Sequence, residues 1–157
     1  AGKKAISIGE TVLSESFNFD YSSISEDGFL LYCDGVNFII RGEDSRGTLY
    51  GVYTFLEEYL GVRWFTPTLE VVPESKDVII DKNLNRVVEP SFVVRRNDTM
   101  GQTEAHRART KMNVSFHKNA EKYGGTLTYS LWDASLITLV PKSLFSEHPE
   151  YFALLEK

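Results

Sequence analysis

The chain has 157 residues, of which 42% are hydrophobic and 25% charged, and its net charge is −5. That balance belongs to a folded globular chain rather than a disordered one. Its scattered Lys and Arg give no basic stripe for nucleic acid, and no apolar run approaches the ~20 residues that would span a bilayer. Cys33 is the only cysteine, which excludes an internal disulfide and a cysteine-based zinc site. Aromatic residues are plentiful at 13%, as a dense core or a sugar-stacking surface would require.

Lys4-Ala5-Ile6-Ser7-Ile8 alternates polar and apolar residues and predicts a half-buried strand. The polar run from Ser22 to Gly28 reads as a loop. Phe29 to Cys33 and Val36 to Arg41 then read as two strands around Asp34-Gly35. That dipeptide favours a type I′ hairpin turn, because glycine tolerates positive φ. A helix is predicted from about Arg46 to Leu60, with Ser45 as N-cap and Gly61 at the C-terminal cap. Leu49, Val52, Tyr53, Leu56 and Leu60 fall at helical spacing and predict its buried stripe. Glu57 and Glu58 read as a solvated face. Val71-Val72 and Asp77 to Ile80 look like two more short strands. The first half is thus an α+β layer, a sheet covered by one long helix.

Asn83 to Glu89 is polar and reads as a linker. Beyond it, Ser91 to Arg95 predicts a strand, Thr103 to Met112 a helix and Asn113 to Phe116 a second strand. This order opens a parallel α/β unit. Thr126 to Trp132 reads as a strand or a long loop, and Pro141 to Phe145 as a short helix with proline in its first turn. His106 and Arg107-Ala108-Arg109 are expected on an exposed helix face. The three histidines, His106, His117 and His148, are too widely spaced for a local metal motif, and no cofactor or metal is expected.

Three segments carry a family resemblance: Arg46-Gly47-Thr48-Leu49-Tyr50-Gly51-Val52-Tyr53-Thr54-Phe55-Leu56-Glu57, Leu60-Gly61-Val62-Arg63-Trp64-Phe65-Thr66-Pro67, and Glu147-His148-Pro149-Glu150-Tyr151-Phe152. In that order they resemble the bacterial glycoside-hydrolase-like family of unknown function numbered 4838. Its members are similar to α-glucuronidases of family 67 and β-hexosaminidases of family 20. The resemblance implies a hexosaminidase-like α+β accessory domain over residues 1–88. It also implies the first βα units of a TIM barrel over 89–157, a barrel left incomplete because a full one takes about 250 residues. Where members of the family it resembles often carry Gly-Gly-His, this chain has Gly124-Gly125-Thr126.

The resemblance further implies that the parent protein hydrolyses a complex glycan. The carboxylates that do so would lie on later barrel strands, so no catalytic residue is assigned and the chain itself is expected to be inactive. A non-catalytic carbohydrate-binding or structural accessory module is the alternative. Arg95 and Arg96 would end the first barrel strand at the sugar-binding rim, where an Arg fork suits sugar hydroxyls. Strand alternation would turn only one of them inward. Asn97, His117 and Trp132 complete the expected substrate-binding set, with Tyr129 as a further cleft-wall candidate. Asp98 reads as a structural loop residue, and Trp64 and Phe65 as a wedge between the two domains. The expected partner is a glycan or oligosaccharide, with no nucleic acid and no membrane span. A cut barrel would also expose strands that favour self-association. If a signal peptide has been removed, a periplasmic or extracellular location follows.

Overall fold

The computed structural model describes residues 4–74, 77–97, 101–115, 119–128 and 136–152. The chain divides into two compact units, Ala1–Leu127 and Thr128–Lys157. No helix among the described residues is long and apolar enough to cross a membrane.

The first unit is built on a mixed four-stranded sheet. Its elements in chain order are β1 (Ala5–Ile8), α1 (Val12–Ser16), β2 (Phe29–Cys33), β3 (Asn37–Gly42) and α2 (Ser45–Glu58). These are followed by β4 (Arg63–Trp64), β5 (Glu70–Val71), β6 (Asn85–Val88) and α3 (Glu104–Arg109). The sheet order is β1-β3-β2-β6, with β1 parallel to β3 and the other pairs antiparallel. A separate two-stranded ribbon joins β4 and β5.

The hairpin forms as the sequence predicts, but with a different turn. A type I′ turn needs positive φ at two successive residues. Here only Gly35, at φ +90°, has it. Asp34 closes the turn instead, its carboxylate accepting the Val36 and Asn37 backbone N–H groups at 2.8 and 2.6 Å.

Alternation puts Phe29, Leu31 and Cys33 of β2 and Phe38 and Ile40 of β3 on one face, where they pack with Tyr50 and Phe55 of α2. The other face is covered as well. Leu30 and Ile39 are buried there beside Phe17, Phe19 and Tyr21 of the segment between α1 and β2. The Phe17 and Tyr32 rings meet edge to face at 5.0 Å, and the Arg41 guanidinium lies 3.8 Å from the Tyr21 ring centre. Burial on both sides explains why β2 and β3 read as nearly continuous apolar runs.

Helix α2 turns a different face inward than its leucines suggest. Its N-cap is Asp44, which accepts the Gly47 N–H, not Ser45. The buried residues are Arg46, Gly47, Tyr50, Gly51, Thr54 and Phe55, while Val52, Leu56 and Leu60 pack at the margin. Two glycines explain the rotation. A Cβ on Gly51 would sit 2.7 Å from the Ile40 side chain, and one on Gly47 would sit 2.3 Å from the Gly28 carbonyl oxygen. The helix approaches the sheet where it has no side chains, and a pattern search for apolar residues misses that line.

Two further expectations are corrected. Asp77 to Ile80 is not a strand; Ile80 packs against the core from a loop. The expected linker instead contains β6, which pairs with β2 from Phe29↔Val88 to Tyr32↔Asn85. As an edge strand it is mostly exposed, and its polar residues hide its strand character. The two glutamates at the end of α2 are also engaged, Glu57 with Lys111 at 2.8 Å and Glu58 with Arg86.

Residues 91–97 and 113–115 form no regular strands. They do lie side by side: the Asn113 N–H donates to the Arg95 carbonyl at 3.0 Å, and the Leu127 N–H to the Asn113 carbonyl at 2.8 Å. Helix α3 links them, capped by Thr103, whose hydroxyl accepts the His106 N–H at 3.2 Å. It ends at Arg109 with Thr110 as its C-cap, and Lys111 follows at φ +60°. His106 and Ala108 are buried, not exposed as expected. In the second unit, α4 (Leu136–Leu139) precedes two 3-10 turns, Lys142–Ser146 and Pro149–Tyr151. There the Phe145 and Phe152 rings meet at 5.3 Å, and His148 stacks on Tyr151 at 4.7 Å.

Gly47→Ala separates close packing from helix propensity. In an open helix the change would stabilise by about 1 kcal/mol. Here the added methyl meets backbone, so urea denaturation should show a loss of about 2–3 kcal/mol. A gain would mean that the helix does not sit against Gly28.

Candidate functional site

The sequence places a positive charge, Arg46, in the first turn of α2, where the helix dipole opposes it. Its side chain is nevertheless buried, and its Nε donates to the Asp27 carboxylate. Asp27 stands in the turn before β2 at φ +66°, a conformation Asp tolerates better than most residues. Its side chain is only 2% exposed.

Asp27 is also reached from the other side. The Arg95 Nη2 lies 2.6 Å from Asp27 Oδ2, and the Asn113 Nδ2 donates to the same oxygen at 2.8 Å. Arg95 uses its remaining nitrogens on backbone: Nε donates to the Lys111 carbonyl at 2.8 Å and Nη1 to that of Phe92 at 2.7 Å. Asn113 is equally committed. Its Nδ2 also donates to the Val93 carbonyl at 2.6 Å, and its Oδ1 accepts the Arg95 N–H at 2.8 Å. Tyr50 of α2 donates its hydroxyl to the Met112 carbonyl at 3.0 Å. Glu26 pairs with Arg46 at 2.9 Å on the solvent side.

The electrostatics follow from these contacts. Burial pushes the Asp27 carboxyl up, but the hydrogen bonds from Arg46, Arg95 and Asn113 outweigh it and hold the group below the usual carboxylate range. Burial, with the Asp27 charge added, pushes the Tyr50 phenol up to about 12. Burial and then Arg109 push the His106 imidazole down. Asp27 is therefore an ionised, saturated acceptor. It has no proton to give as a general acid, and its buried oxygens already face two guanidinium groups.

The ligand oxygens of Glu26, Asp27 and Asp44 lie within 4.8 Å of one another, the kind of acidic group that can hold a cation. Arg46 already neutralises this group, and Asp44 is turned to the α2 N-terminus. The donor set therefore fits an ion-pair hub better than a metal.

Of the residues expected to bind substrate, Arg95 lies in this hub. Arg96 is half-buried, and Asn97 is exposed with its carbonyl accepting Arg107 Nη1 at 3.0 Å. His117, Trp132, Tyr129 and Asp98 lie outside the described residues. Trp64 packs on Tyr53 at 5.4 Å with the Arg109 guanidinium 5.7 Å from its ring, while Phe65 is exposed. Thr126 accepts the Ser115 N–H at 2.7 Å. Asp27, Arg46, Tyr50 and Asn113 escaped the sequence reading. The available signal was Arg46 itself, a cation at a helix N-terminus that had to find an acid.

The family described as Domain of unknown function (DUF4838) matches residues 64–157. The chain belongs to this family. No curated protein and no solved structure matches it. In this DUF4838 chain the matched span includes Arg95, Asn113 and Trp64 but begins after Asp27, Arg46 and Tyr50. The hub therefore joins residues from inside and outside the matched span.

Asp27→Asn should cost about 3 kcal/mol, because it leaves the part-buried Arg95 guanidinium without its counter-charge and the buried Arg46 with only the exposed Glu26. The pH dependence has a definite sign. With its folded pKa depressed, Asp27 contributes full stability above the unfolded carboxyl pKa of about 3.9 and loses it as pH falls toward the folded value. Urea midpoints measured from neutral pH downward should fall less steeply in the Asn variant than in the parent. Parallel curves would show that the carboxylate is not held ionised by its partners.

Proposed function

We propose that this chain is a non-catalytic, architectural part of a protein that processes complex glycans. In this reading residues 1–88 are a hexosaminidase-like α+β accessory layer, and residues from 89 onward begin a TIM barrel whose catalytic carboxylates lie elsewhere in the parent. The observation that carries the architectural role is the saturated Asp27 carboxylate. A buried acid in a glycosidase site would have its pKa raised and an oxygen open to the sugar. Asp27 has the opposite state, and its partners come from α2 and from the segment 92–113.

Two observations support the barrel reading. Backbone hydrogen bonds set the segments of Arg95, Asn113 and Leu127 side by side in chain order, although Asn113 donates to one neighbour and accepts from the other, unlike a residue of a regular strand. Helix α3 lies between the first two in sequence, in the place of a crossover. The glycan assignment rests on the sequence resemblance. Arg95, fully engaged by Asp27 and backbone carbonyls, acts in this reading as a positioning residue behind the rim, leaving Arg96 and Asn97 nearer to any sugar.

The test is hydrolysis of a panel of 4-nitrophenyl glycosides and glucuronides by this chain. Release of nitrophenol should not exceed the buffer rate for any member. Turnover that survives repurification and disappears on substitution of a carboxylate within residues 1–157 would overturn the architectural reading.

A further inference from the structure

We propose that the outer edge of β1 is an interface between two copies of this chain, in which the β1 strands pair antiparallel about Ser7 and join two four-stranded sheets into one of eight. Strand β1 ends the sheet, and among the described residues no strand pairs with its outer side. The inner side is fixed by the parallel ladder. The Ala5 N–H donates to the Val36 carbonyl at 3.4 Å and the Gly9 N–H to the Ile40 carbonyl at 2.8 Å, so the odd-numbered residues bond to β3. The N–H and C=O groups of Ile6 and Ile8 therefore point outward.

Those two residues also present the apolar surface. Ile6 is 60% and Ile8 51% exposed, both on the sheet face that carries α2, whose packing stops short of them. Ser7 alternates to the other face, where it is buried and its hydroxyl meets Thr11 at 2.6 Å. Natural edges are commonly protected by a charge or proline within the strand, and this one has neither.

Antiparallel pairing centred on Ser7 sets Ile6 of one copy opposite Ile8 of the other, twice. The outward groups then form two reciprocal hydrogen-bonded pairs, four backbone bonds in all. The four isoleucines gather on one face, next to the cleft of about 520 Å³ that Ile6 shares with Val36, Phe38, Phe55, Val78 and Ile80 in each copy.

Charge selects the second copy as occupant. Lys4 precedes the strand and Glu10 follows it, and neither forms an ion pair among the described residues. Antiparallel pairing brings each Lys4 to the end that carries the partner's Glu10. Parallel pairing would set like charges together. The strand is thus complementary to itself in one orientation only, as a two-fold interface requires. Gly9, at φ +75°, ends the paired stretch, so the contact is short and the association should be weak.

Sedimentation equilibrium of the full chain from about 1 to about 500 μM should show a monomer–dimer equilibrium. Ile6→Lys should weaken the dimer about tenfold or more, with the far-ultraviolet circular dichroism unchanged because the residue is exposed. Lys4→Glu should weaken it several-fold, and Lys4→Glu combined with Glu10→Lys should restore it. A monomer at every concentration would overturn the proposal. So would a dimer indifferent to Ile6→Lys, which would place the contact elsewhere, or a double charge reversal without rescue, which would refute the register.

Discussion

A carboxylate almost out of reach of water, held between two guanidinium groups, organises the first 127 residues. Asp27 leaves the loop before β2, Arg46 opens α2, and Arg95 follows the end of the sheet by several residues. Isolated, any one of these buried charges would be severely penalised. Together, and with Asn113 supplying a further hydrogen bond, they satisfy one another. The interaction is selective more than strong: removing one member leaves others uncompensated, so the loop, the helix and the later segment must come together as a set.

Close approach makes this meeting geometrically feasible. Gly28 lies in the same turn as Asp27, and Gly47 follows Arg46, so the backbone of the turn and the first turn of α2 touch where the ion pair forms. Gly124, at φ +86°, lets the later chain pass over Arg46; a Cβ there would fall 2.8 Å from the arginine's own Cβ. Tyr50 adds a hydroxyl contact to Met112 on the same side of the helix. Small residues and buried charges thus occupy one end of α2, while Phe55 and the aliphatic cluster occupy the other.

Legibility in the sequence followed physical type. β1 is legible from its alternation, although Ile6 and Ile8 are exposed and Ser7 is the buried residue; β2 and β3 are legible as apolar runs buried on both faces, α2 from helical spacing, and Asp34-Gly35 marks the hairpin. The inward face of α2 was misplaced because glycine gives no hydrophobic signal. β6 passed as a linker because an edge strand with exposed side chains has a loop's composition. The hub was hidden because its members are far apart in the chain: Arg46 is 19 residues and Arg95 68 residues from Asp27. The family resemblance marks Arg95 for sugar binding, whereas its contacts in the fold are with Asp27 and backbone carbonyls. Short motifs record local chemistry, and a long-range ion pair leaves only an unexplained charge at each end.

Native-state hydrogen exchange followed by NMR tests most directly whether the hub binds the later segment to the sheet. The amides of Asn113 and Leu127 report on the segment, and those of Leu31 and Ile40 on the ladders that join β2 to β6 and β3 to β1. If the ion-paired hub makes one cooperative body, all four should open with the same free energy. Asn113 and Leu127 exchanging orders of magnitude faster than Leu31 and Ile40 would show that the segment opens on its own, and that Asp27 does not hold it.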